Sequence, residues 1–197
     1  SVQDVFATDT NPAPSVMLNE SPADGWPTSD VSADRYFSKD WHDREVETVW
    51  RKCWQLACRE EEIPNVGDHI VYEIVHDSVI VVRTSPTEIR AYINSCLHRG
   101  TLLRTEGGCV QSFRCPFHAW TWNLDGKLVH MHQEWDLEHV DVESMSLPEA
   151  QVGTWAGFVF INFDEHCEPL MNYMENLPEH FESFELEKRY KAAHVAK

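Results

Sequence analysis

Cys96-Leu97-His98-Arg99-Gly100 and Cys115-Pro116-Phe117-His118-Ala119-Trp120 each set one thiol beside one imidazole, with sixteen residues between His98 and Cys115. The inner spacings, Cys-X-His and Cys-X-X-His, suit two tight loops that grip a metal group between them. If that group is a two-iron cluster, each loop gives one ligand to each iron, with thiolates on one iron and imidazoles on the other. A zinc site is the rival reading, although Cys2His2 zinc sites usually place a Cys pair before a His pair, whereas each knuckle here mixes the two. Eleven His and six Cys also produce accidental neighbours, so the order and the surroundings must carry the argument.

Outward from the knuckles the pattern is that of strands. Short apolar runs stand at Ile70-Val75, Val79-Arg83 and Ile89-Ile93, divided by polar turns such as His76-Asp77-Ser78 and Ser85-Pro86-Thr87. Further runs follow at Val110-Phe113, Thr121-Asn123 and Gly157-Phe163, and Asp125-Gly126 is a hairpin signal. The fold class expected is mainly β, an antiparallel β sandwich, with an N-terminal helical lead-in and a short C-terminal helix. The lead-in is read from Val46, Val49, Trp50, Cys53 and Trp54 at helical spacing, which predicts a helix over 39–52 whose aromatic stripe is packing surface. At the other end Leu170, Met174, Leu177, Phe181 and Phe184 repeat every three or four residues, with Pro178 as a break. The division expected is an extended arm over 1–35, rich in Pro, the lead-in over 36–64, a cluster domain over 65–166, and a helix with the start of a link over 167–197.

Composition narrows the class of partner. At 197 residues, with 42% hydrophobic side chains and eight Trp and nine Phe, the chain can bury a ring-rich core. A formal charge of −17 and the lack of a basic cluster exclude a nucleic-acid partner; an acidic surface would instead steer a basic redox partner. No run approaches the roughly 18 apolar residues of a membrane helix. No Lys or Arg precedes Arg35, which leaves no basic start for a secretory signal and favours the cytoplasm. There Cys53, Cys58, Cys109 and Cys167 are read as inert thiols.

Cys-X-His followed after sixteen residues by Cys-X-X-His resembles the Rieske cluster motif. The flanks, Tyr36-Phe37-Ser38 through Trp54-Gln55-Leu56, Glu62-Ile63-Pro64, Gly67-Asp68, Cys115 to Leu128 and Trp155 to Asn162, resemble the N-terminal Rieske part of non-haem iron oxygenase large subunits, the aromatic-ring-hydroxylating dioxygenases. Thr101 and Phe117 stand where the respiratory type carries its accessory disulfide, so the resemblance is to the oxygenase or ferredoxin type. It implies a [2Fe-2S] cluster held by Cys96, His98, Cys115 and His118. It also implies a one-electron relay from a reductase or ferredoxin to a mononuclear iron, with His98 or His118 bonded to a carboxylate near that iron. The expected assembly is a homotrimer or a hetero-oligomer with a small subunit. One departure stands out: the family usually has Gly where this chain has Ala119, at a backbone site that can require positive φ.

The mononuclear iron of that family sits on two His and a carboxylate, with the two His five positions apart. No two His in this chain are four or five apart, and His130, His132 and His139, with Glu134, Asp136 and Glu138, read as an exposed polar loop. The expectation is therefore that no catalytic residue lies in this chain and that the iron belongs to a further C-terminal domain. Trp120 and Trp122 read as packing beside the cluster, with a competing reading in which they shield it from water and so tune its potential, and Arg99 as a partner contact or a solvated side chain. The alternatives kept open are a free-standing Rieske ferredoxin-type carrier and a zinc-stabilised binding module.

Overall fold

Val79, Ile80, Val81 and Val82 follow one another without a polar interruption, and all four are fully buried. A strand that is apolar on both faces must run through the middle of a layered structure. In the computed structural model, which describes residues 8, 10, 31–132, 135 and 140–193, these residues lie in β3 (Asp77–Ser85). It is flanked by β2 (Asp68–Ile74) and β4 (Glu88–Ile93). Ile80 and Val82 face one core, with Tyr92, Leu103, Phe113, Trp120, Trp122 and Leu147. Val79 and Val81 face a second, with Ile63, Ala91, Val159 and Ile161.

The remaining strands are β1 (Gln55–Arg59), β5 (Gly108–Cys109), β6 (Ser112–Arg114), β7 (Thr121–Asn123), β8 (Leu128–His130), β9 (Glu149–Trp155) and β10 (Phe158–Asn162). Seven form one sheet in the order β1-β10-β9-β4-β3-β2-β5, and β6-β7-β8 form a smaller one. Every pairing between described strands is antiparallel. Each stretch read as a strand from sequence holds one. Four strands escaped that reading: β1, β5, β8 and β9. In β9 the residues Glu149, Gln151 and Thr154 are exposed while only Ala150 is buried, so its sequence carries no apolar alternation. Its place comes from pairing with β10 and β4.

The lead-in comprises α1 (Asp34–Phe37), α2 (Lys39–Glu45) and a π-helical turn over Val46–Trp50. Its expected role as packing surface is only partly met. Val46 is buried, but Val49 and Trp50 are 43% and 39% exposed, and Tyr36 and Phe37 more so. Polar ties fasten it instead: Arg51 Nε to Asp77 at 2.8 Å, Lys52 Nζ to Asp164 at 2.9 Å, and Asn162 Nδ2 donating to the Lys52 carbonyl at 3.1 Å. At the far end the chain forms α3 (Leu170–Met174) and α4 (Leu177–Phe181), followed by 3-10 turns to Lys188. Pro178 lies at the start of α4, where a missing N–H costs nothing, so it opens a helical turn as well as ending the pattern before it. The arm read over 1–35 lies almost wholly outside the described residues.

Candidate metal centre

Two loops of the same design project from the sheets. The first leaves β4 and contains Cys96, whose N–H donates to the Thr101 carbonyl at 2.9 Å, while the Gly100 N–H returns to the Cys96 carbonyl at 2.8 Å. The second joins β6 to β7: the Cys115 N–H donates to the Trp120 carbonyl at 2.8 Å, and the Ala119 N–H to the Cys115 carbonyl at 3.1 Å. Closing such a turn requires a left-handed residue, and Gly100 and Ala119 have φ of +71° and +60°.

Asn94 anchors the first loop. This side chain is 1% exposed and makes four hydrogen bonds. Nδ2 donates to Ser78 Oγ at 3.0 Å and to the Arg104 carbonyl at 2.6 Å, and Oδ1 accepts from the N–H of Leu103 and of Arg104 at 2.9 and 3.0 Å. It thereby pins both ends of the 94–104 segment to β3. Behind it, Arg104 Nε donates to His69 Nε2 at 3.2 Å, and His69 Nδ1 lies 3.2 Å from the Gly67 carbonyl. Burial lowers the His69 pKa, and the neighbouring Arg104 charge acts the same way, so the ring is neutral with its proton on Nδ1. Sequence reasoning missed Asn94, His69 and Arg104, because their link depends on β2, β3 and the loop meeting in space.

The four expected donors come together with like facing like. Cys96 and Cys115 are buried side by side, and the Cys96 thiol has its pKa raised by burial first, and then by its contact with Cys115. The His98 and His118 rings lie 4.7 Å apart at 68°. The indole of Trp120 stacks on His98 at 4.7 Å, nearly parallel at 11°, and Phe117 lies 3.8 Å from His118. Burial lowers the His98 pKa, and the nearby His118 and Arg99 add to it, so the ring is held neutral as a metal ligand must be.

The fit to a bound metal group rests on an orphaned atom. His118 Nδ1 is buried without a hydrogen-bond partner among the described residues, a state that buried ring nitrogens rarely tolerate unless something else coordinates them. No group of three or more His, Cys, Asp or Glu converges on a single point among the described residues. Two like pairs, thiol beside thiol and imidazole beside imidazole, suit a dinuclear group with two protein ligands per metal better than one four-coordinate ion. His130 and His132 are exposed near the end of β8; His139, Glu134, Asp136 and Glu138 lie outside the described residues.

The acidic surface expected from composition does not extend to the rim of this site. Leu97, Leu102 and Phe117 are exposed there, and the Arg99 guanidinium lies 5.5 Å from the Phe117 ring centre. A cavity of about 350 Å³ beside the loops is lined by Arg104, Arg114 and Pro116, with Glu106 its one carboxylate among the described residues.

Comparison with known proteins agrees with this geometry. Residues 53–141 match the family described as Rieske [2Fe-2S] domain. The chain is 35% identical over 136 residues to the anthranilate 1,2-dioxygenase large subunit of Acinetobacter baylyi, covering 68% of this chain and 29% of that one. It is 31% identical over 173 residues to the carnitine monooxygenase oxygenase subunit of Escherichia coli, covering 85% and 46%. A crystal structure of a quaternary ammonium Rieske monooxygenase superposes with a TM-score of 0.72 at 29% identity, over 76% of this chain and 42% of that one. The chain thus spans less than half the length of these relatives, two of which are named as subunits of oxygenases. No described helix is long and apolar enough to cross a membrane. Residues 53–141 thus match the Rieske [2Fe-2S] domain family, and over that stretch the chain is similar to the oxygenase subunits named above.

Proposed function

We propose that Cys96, His98, Cys115 and His118 hold the [2Fe-2S] cluster, and that the chain is the electron-delivery part of an oxygenase large subunit. The observation that carries this reading is the cross-loop pairing: thiol lies beside thiol and imidazole beside imidazole, although each loop contains one of each. When bound, the cluster accepts and releases one electron at a time, at a potential that imidazole ligation raises above that of an all-thiolate site. Cys96 and Cys115 lie in the dry interior, and His98 and His118 at its half-exposed edge, so the imidazoles mark the way out for an electron. With Nδ1 of His118 turned inward, its Nε2–H is free to donate to a carboxylate of the domain that receives the electron.

That receiving domain would hold a mononuclear iron that activates O2, as the kinship with oxygenase subunits supports. The donor would be a reductase or a ferredoxin, and the rim of Arg99, Arg104 and Arg114 around exposed Leu97 and Phe117 suits an acidic, partly apolar docking face. The assembly would be a trimer, or a hetero-oligomer with a small subunit, in the cytoplasm, where six unpaired cysteines are at home. Hydroxylation of an aromatic ring is the substrate class proposed. The domain division proposed keeps 36–64 as lead-in, 65–166 as cluster domain and 167–197 as link, although β1 of the lead-in pairs directly with β10.

The test is chemical analysis of the purified protein. Iron and labile sulfide in equal amounts, a red-brown colour and a Rieske-type paramagnetic signal on reduction are expected, and Cys96→Ser or Cys115→Ser abolishes all three. Stoichiometric zinc without sulfide would overturn the reading.

A further inference from the structure

His69 of β2 is 2% exposed, and both of its ring nitrogens are engaged: Nδ1 lies 3.2 Å from the Gly67 carbonyl, and Nε2 accepts from Arg104 Nε at 3.2 Å. A ring nitrogen accepts only while it carries no proton, and a guanidinium never gives its own up. The link to Arg104 therefore exists only with a neutral ring. With Nδ1 already protonated, a second proton must go to Nε2, where it displaces Arg104 and sets an imidazolium against a guanidinium. Arg104 cannot answer by moving its backbone, because Asn94 holds its N–H at 3.0 Å and its carbonyl at 2.6 Å. Only the side chain can turn, and the cavity of about 350 Å³ that it lines with Glu106, Arg114 and Pro116 gives it room.

The charged surroundings of the ring are few. Burial is the largest influence and disfavours the charged form; the Gly67 and Glu106 carbonyls and the Asp68 carboxylate favour it, and Arg104 opposes it. Asp68 is itself in contact with Cys109 of β5. From β3 and β6 the neighbours are Val82 and the Phe113 ring at 5.5 Å, neither of which titrates, and the Arg83 guanidinium is turned to the Ile63 carbonyl and Glu60.

We infer that His69 is a pH-dependent positioning residue of the docking rim: while neutral it holds the Arg104 guanidinium in one orientation, and on protonation it lets that guanidinium go. This rests on the docking reading of the rim given above and adds the group that controls it. On the alkaline side of the His69 titration an acidic electron donor meets a fixed guanidinium beside Arg114; on the acid side it meets a mobile one.

The experiment follows the full chain, oxidised and labelled with 15N in arginine and histidine, by nuclear magnetic resonance between about pH 5 and pH 8. Visible absorption at each pH verifies that the centre is intact. Protection of the Arg104 Nε–H against solvent exchange, relative to a free arginine side chain at the same pH, is expected to be lost with the same midpoint at which the His69 ring takes up its proton. In His69→Gln, whose amide oxygen accepts but does not titrate, protection should persist to the acid end. Protection that survives protonation of His69, or that is lost at the same pH in His69→Gln, overturns the inference. Should His69→Gln fail to assemble the centre, the wild-type midpoints decide, and separate midpoints overturn it. The docking reading is judged apart, by the rate at which an acidic plant-type ferredoxin reduces the centre. Arg104→Gln is expected to slow that step; an unchanged rate overturns the place of Arg104 in the rim, whereas the exchange data alone judge the hold of His69 on Arg104.

Discussion

Gly100 and Ala119 are the same residue of the same turn, built twice: each donates its N–H to the carbonyl of the cysteine four positions earlier, and each lies at positive φ. Only one of them is glycine. A Cβ added at Gly100 would meet nothing nearer than Ser95 Oγ at 3.9 Å, so the penalty of a side chain in this turn is one of backbone conformation, not of space. Ala119→Gly is therefore expected to stabilise the protein by roughly 0.5–1 kcal/mol, and Gly100→Ala to destabilise it by a similar amount. Denaturant midpoints of the two variants check both signs; a loss of stability in Ala119→Gly would contradict the equivalence of the loops.

Asn94→Ala should cost about 3 kcal/mol, since two backbone N–H groups and the Arg104 carbonyl lose their partner in a buried setting. The loss should be local to the first loop. Hydrogen exchange is expected to quicken across residues 95–104 while β3 stays protected, and metal retention should fall in parallel. Uniform loosening of the whole sheet would show that Asn94 does not act through the loop.

Gly126 shows the opposite case from Gly100. At φ +78° its missing Cβ would come 2.5 Å from Tyr92 Cε1, and Tyr92 is itself held by its hydroxyl donating to the Leu124 carbonyl at 3.0 Å. Gly126→Ala combines a backbone penalty with a clash in a filled core, and a cost of about 2–3 kcal/mol is expected from thermal or denaturant unfolding.

His69 makes stability depend on pH. Its folded pKa lies below the ordinary imidazole value of 6.5, chiefly through burial. The unfolded chain therefore takes up the proton first, and stability rises with pH across that interval. The contribution is fully present above 6.5 and is lost as pH falls through the depressed folded value. A protonated ring would also face the Arg104 guanidinium at 3.2 Å. His69→Gln should flatten the decline of stability just below pH 6.5, measured by unfolding at a series of pH values; an unchanged slope would place the acid sensitivity elsewhere.

Sequence alone established the two Cys/His knuckles, their order and spacing, and the strands whose apolar runs are strong. It also marked Ala119 as a site under backbone constraint, because such signals are local: a ligand type, a turn residue, an alternation over a few positions. Tertiary structure decided what depends on residues far apart in the chain. β9 becomes a strand through its neighbours β4 and β10, since its own side chains do not alternate. Thiol meets thiol only because two loops from different sheets converge. The lead-in stripe, expected to pack, does so only in part: Val46 is buried and Trp54 half-buried, Val49 and Trp50 are exposed, and polar ties help to hold the segment.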